Sequence, residues 1–97
     1  MRVLIEQYEL VKETQYIFED IDSRIIGRIY KVIIGVNAQY MWTLSHYCRL
    51  EDEMDVYIPS APFGQTLDEI EFKLGQYVER FKKAIDWKVN TSFSFSD

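Results

Sequence analysis

Between Thr66 and about Ile85 the chain carries a helix pattern that constrains everything around it. At roughly 100° per residue, Leu67, Ile70, Leu74, Tyr77, Val78, Phe81 and Ile85 fall within about 100° of arc. A stripe of that width packs on one face of a neighbour, and a sheet is the simplest neighbour with a face of that kind. Both ends of the helix are marked. Thr66 and Glu69 have capping-box spacing, in which each side chain satisfies an amide left unpaired at the helix start. Asp68, Glu69 and Glu71 occupy the first turns and Arg80, Lys82 and Lys83 the last, as the helix dipole favours.

The middle of the chain reads as the sheet. Arg24 to Val36 is dense in Ile, Val and Tyr, which suit strands. Asn37-Ala38 is a plausible turn, with Gly35 marking a bulge just before it. Tyr40 to Cys48 then alternates, with Tyr40, Trp42, Leu44, His46 and Cys48 on one face and Met41, Thr43, Ser45, Tyr47 and Arg49 on the other. These two segments form an antiparallel hairpin. Val56-Tyr57-Ile58 reads as a short strand stopped by Pro59. From Trp87 to Ser96 large and small residues alternate over ten positions, the signature of a half-buried strand. Residues 3–20 contain neither Gly nor Pro, and they read as a hairpin turning near Lys12-Glu13, in competition with a helix. The expectation is an α+β fold in a single domain, 1–97: an antiparallel sheet of four to six strands with one long helix, about 66–85, packed on one face.

Composition narrows the function classes. The 97 residues are 47% hydrophobic and 15% aromatic, enough apolar surface to offset chain entropy and exclude wholesale disorder. Sixteen acids against 11 bases give a formal charge of -5, which argues against a nucleic-acid surface or an anionic membrane and permits a basic partner. Cys48 is the only cysteine, so neither an internal disulfide nor a multi-cysteine zinc site can form. Val3-Leu4-Ile5 is followed by Glu6 and does not read as a signal peptide, and no apolar run approaches the ~20 residues of a membrane span. The cytoplasm is the expected location, and the chain reads as a complete small gene product.

Few residues point to chemistry. His46 and Cys48 share a strand face, but neighbouring positions there lie ~7 Å apart, too far for a direct thiolate–imidazole bond without favourable rotamers. Both are read as structural, with no catalytic residue, no metal and no cofactor expected. Glu51, Asp52, Glu53 and Asp55 lack the glycine and ligand spacing of a calcium loop, which leaves a solvated loop or a patch for a basic surface. Ser60 to Thr66 lacks the lysine and glycine spacing of a phosphate loop. Arg80, Lys82, Lys83 and Lys88 are explained by the helix dipole more simply than by DNA.

Contact candidates are more numerous. Phe72 lies about 140° from the centre of the apolar stripe, where a large aromatic suggests a partner or a covering segment. If Trp42 faces the helix, Met41 and Tyr47 face outwards. Phe93 and Phe95 on the tail could pair with the chain's own sheet or with another copy. The expected function is a small non-enzymatic protein-binding module, in its sharper form a phage or mobile-element inhibitor that occludes a host protein such as a defence nuclease. The alternative is a homo-oligomeric structural or regulatory protein, a dimer for example, joined through the C-terminal strand. An enzyme or ligand carrier using His46 and Cys48 comes third, and direct nucleic-acid binding last.

Overall fold

The computed structural model describes residues 1–95. In chain order the elements are β1 (Gln7–Tyr16), β2 (Ile25–Ile34), β3 (Tyr40–Leu44), β4 (His46–Arg49), β5 (Phe63–Gly64), α1 (Leu67–Arg80) and β6 (Asp86–Val89), with a 3-10 turn, Phe81–Lys83, continuing α1. β1, β2, β3 and β5 form one antiparallel sheet in that spatial order, and β4 and β6 form a second, two-stranded one. The mixed α+β class with an antiparallel sheet of four strands and one helix is as the sequence predicts.

The helix begins where its cap was expected. Thr66 Oγ1 accepts from the Glu69 amide at 3.1 Å, while the Glu69 carboxylate accepts from the amide of Gln65, one residue before the cap. Ile70, Leu74, Tyr77 and Val78 are buried along one stripe, and Phe81 follows in the 3-10 turn. They meet Ile25, Ile29, Trp42, Leu44 and Cys48 in one cluster. Gly27 lets the helix come close: a Cβ there would lie 3.1 Å from Tyr16 Cε2 and 3.3 Å from Leu74 Cδ2. Ile85 leaves the expected stripe and is exposed, because the helical turns end at Lys83.

Ser45 divides the long strand predicted over 40–48. It is fully buried between β3 and β4. Its amide donates to Ile26 O at 2.9 Å, but the Ile26 amide donates to Ser45 Oγ at 2.8 Å rather than to the Ser45 carbonyl. That carbonyl instead accepts from the Asn90 amide at 2.7 Å, and Asn90 Nδ2 donates to Leu44 O at 2.9 Å. The hydroxyl thus replaces one ladder acceptor, and the backbone changes partner from β2 to β6.

Several expectations are corrected. The N-terminal segment is neither a hairpin nor a helix. β1 runs straight through Lys12-Glu13, which pair with Ile29 and Arg28. The irregularities fall at Ile33 of β2, skipped between the Gln7–Ile34 and Tyr8–Val32 pairs, and at Val11 of β1, skipped between Leu10–Tyr30 and Lys12–Ile29, and not at Gly35. Gly35 lies just beyond β2 with φ 147°, a conformation that favours glycine, where the chain turns towards β3. Val56 to Ile58 forms no strand; it is held by one ladder-like bond, Tyr57 amide to Cys48 O at 3.1 Å. The tail strand stops at Val89. Asn90 starts a turn, with its Oδ1 accepting from the Ser92 amide and its carbonyl from the Phe93 amide, each at 3.0 Å. Ser96, the last residue of the predicted alternation, lies outside the described residues.

Ser45→Ala removes the acceptor of a buried amide at the junction. It is expected to cost about 1–3 kcal/mol, read as a lower urea midpoint with an unchanged slope. An unchanged midpoint would show that the hydroxyl does not secure the switch between sheets.

Candidate functional site

The residues proposed for chemistry are enclosed and occupied. Cys48 is fully buried, and burial raises its thiol pKa above the ordinary range. Its amide donates to Tyr77 Oη at 3.0 Å, and its carbonyl accepts from the Arg80 guanidinium at 3.2 Å. His46 is also buried, with Nδ1 at 2.8 Å from Ser45 Oγ and its ring edge-on to Phe95. The groups that act on the Cys48 thiol are Arg80, Tyr77 and Glu53. Among the described residues no three His, Cys, Asp or Glu side chains gather to hold a metal ion.

Tyr77 and Arg80 organise the side of the molecule where the 50–62 segment crosses the helix. Tyr77 Oη donates to the Tyr57 carbonyl, and burial pushes its pKa up to about 12. Arg80 bonds Glu53 at 2.6 Å and lies over the rings of Tyr57 and Tyr77 at 5.0 and 5.1 Å. The Arg80 bond, with a second from the Leu50 amide, holds the Glu53 carboxyl below its ordinary pKa. A groove of about 220 Å³ opens there between Trp42, Tyr57, Pro59, Lys73 and Gln76. Trp42 Nε1 and Arg80 Nε are buried without a hydrogen-bond partner among the described residues.

The contact candidates are scattered. Glu51 and Asp52 are exposed on the loop, whereas Glu53 is engaged by Arg80, and Asp55 pairs with Lys88 at 3.2 Å. Met41 is half-buried in β3, opposite Tyr30 and Phe63. Tyr47 is half-buried too, with its ring edge-on to Tyr77. Phe72 stands free on the helix at 64% exposure. Phe93 is buried beneath the Arg28 guanidinium, 4.3 Å from the ring centre, and Phe95 is exposed but touches Phe93 and His46. Arg28 is itself buried, bonded to Glu13 and to the Ser94 carbonyl, each at 2.6 Å. The described part of the tail is therefore packed over the outer face of β2.

An open apolar surface lies where sequence reasoning placed none. β1 is an edge strand of ten residues, paired on one side with β2. Leu10 and Val11 are 50% and 42% exposed, and Tyr8 is exposed beside them. Ile33, Ile34 and Val36 are exposed at the far end of β2, as are Val3, Leu4 and Ile5 ahead of β1. The signal available in the sequence was the adjacent pairs Leu10-Val11 and Ile33-Ile34. In a strand, adjacent residues point to opposite faces, so one of each pair is left out of any single core.

Burial lowers the His46 pKa from its ordinary 6.5. The unfolded chain therefore takes up that proton first as the pH falls, and the folded state loses stability below about pH 6.5. The melting temperature is expected to drop between about pH 7 and about pH 5.5, and His46→Asn to remove that part of the slope. A slope that survives the substitution would assign the effect elsewhere. Glu53, whose folded pKa is also depressed, acts lower, as the pH falls through its ordinary 4.5.

Against protein-family models, curated proteins and solved structures the chain finds no match, so its functional reading rests on the geometry above.

Proposed function

We propose that this chain is a non-enzymatic protein-binding module whose contact surface is the open edge of β1 with the apolar end of the β1–β2 hairpin. The observation that carries the reading is a ten-residue edge strand with exposed apolar side chains, paired on one side only among the described residues. Such an edge is a template for an added strand, in which main-chain bonds supply affinity and side chains supply register. Exposed apolar surface of this kind marks an interaction site in a small protein.

Other features support the same class. The His46 and Cys48 side chains are buried, and the Cys48 thiol is shifted away from reactivity. Three of the four bases that could have met a phosphate backbone are matched by acids: Arg80 with Glu53, Lys82 with Glu79 and Lys88 with Asp55. The charge of -5 and the exposed Glu51 and Asp52 favour a partner with a basic surface. In its sharper form the reading is a cytoplasmic inhibitor, carried by a phage or mobile element, that occludes a host protein such as a defence nuclease. Among the described residues no helix is long and apolar enough to cross a membrane.

The test is a tagged full-length chain co-expressed with an untagged copy in its native host. A stoichiometric partner, foreign or a second copy, is expected to be retained. Leu10→Lys with Val11→Lys is expected to weaken retention at least about tenfold with little change in melting temperature. Retention that survives the double substitution would move the contact surface away from β1.

A further inference from the structure

We infer that β1 pairs with β1 of a second copy of this chain, antiparallel about a two-fold axis between Leu10 and Val11. This deepens the reading above and rests on it. A two-fold axis demands that every cross-strand pair occur twice with the roles exchanged, so the strand must match its own reverse. β1 does so over its centre. Tyr8 falls opposite Glu13, Glu9 opposite Lys12 and Leu10 opposite Val11. Two reciprocal ion pairs then flank an apolar centre, and no like charges stand opposed.

The faces agree only because of the irregularity in β1. In a regular strand, residues three apart point to opposite faces, and Glu9 could not meet Lys12 across the axis. Here Glu9 pairs with Lys31 and Lys12 with Ile29, two residues apart on β2 and therefore on one face. Tyr8 pairs with Val32 and Glu13 with Arg28, four apart and again on one face. The extra residue between Leu10 and Lys12 thus brings the strand into phase with its own reverse.

Neighbouring registers are worse. Sliding one residue one way sets Glu9 against Glu13, and two residues the other way sets Glu6 against Glu13. Lys12 is available: its contact with Glu71 is a 3.4 Å pair between exposed side chains, of the kind worth little in water. Continuing the register brings Leu4 alongside Ile17, both well exposed in the single chain.

Light scattering of the full chain from about 1 µM to about 500 µM is expected to show the mass rise from 11.6 kDa towards twice that value. Glu9→Lys and Lys12→Glu each turn both ion pairs into repulsions, and each is expected to weaken the dimer about tenfold. The two together restore the pairs with signs exchanged and are expected to restore the dimer. A monomer throughout, or a dimer indifferent to the single substitutions, overturns the self-pairing, as does failure of the double substitution to recover affinity. A monomer that retains a foreign partner through Leu10 and Val11 sinks the self-pairing alone and leaves the edge reading standing. Melting curves of the three variants, all changed at exposed positions, show whether the fold is intact.

Discussion

The fold depends on one buried hydroxyl. An antiparallel pair normally satisfies itself by exchanging N–H and C=O groups both ways. At Ile26 and Ser45 one half of that exchange passes through Ser45 Oγ, which leaves the Ser45 carbonyl for the Asn90 amide. A single strand can then leave the large sheet and join the small one without stranding a polar group in the interior, where an unpaired amide costs about 1–3 kcal/mol. The same hydroxyl meets His46 Nδ1. The residue most often singled out for chemistry in a small protein is here part of the joint between two sheets.

That joint decides how the rest is shared out. Because Asn90, at the end of β6, is bonded to Ser45, the residues after it fold back over β2, with Phe93 under Arg28 and Arg28 held by Glu13 and the Ser94 carbonyl. On the other side the helix covers Ile25, Ile29 and Leu44. Both coverings reach the first half of β2, and its far end receives little: Ile33, Ile34 and the Leu10-Val11 pair remain open. The described residues offer one long helix and one short tail as cover, and a hairpin of two ten-residue strands outruns them.

The sequence was legible where period and punctuation agree. The helix start, its stripe and the β2–β3 hairpin follow from Thr66, from the spacing of Ile70 to Phe81 and from the turn before Tyr40. It was misleading where period alone spoke. Trp87 to Phe95 alternates well beyond the end of its strand, because Asn90 binds the Ser92 and Phe93 amides and outweighs the pattern. Tyr40 to Cys48 alternates through a change of sheet, since period two cannot distinguish one partner strand from two. In residues 3–20, Lys12-Glu13 looks like a turn because two charges sit side by side, yet Lys12 reaches Glu71 and Glu13 reaches Arg28 from within an unbroken strand. Cross-strand partners distant in sequence supplied the information that local reading lacked. The same limit hid the candidate site: an open edge is a property of sheet order, and sheet order cannot be read from β1 itself.

Edge strands are usually blunted by charge, by bulges or by brevity. β1 has a lysine and an irregularity, so it could be taken as a strand protected against pairing. Its other properties argue against that view. It is long, it contains no proline, and two exposed apolar side chains, Leu10 and Val11, stand at the irregularity itself. A bulge that only disrupted pairing would have no reason to bring Glu9 and Lys12 onto one face, with Tyr8 and Glu13 together on the other. The same irregularity that makes β1 a poor template for an arbitrary strand makes it a consistent one for its own reverse. Selectivity of this kind is what distinguishes a proposed interface from an aggregation hazard, since each of the four registers within two residues loses the Glu9–Lys12 pairs and two of them oppose carboxylates, whereas the self-matched register does neither.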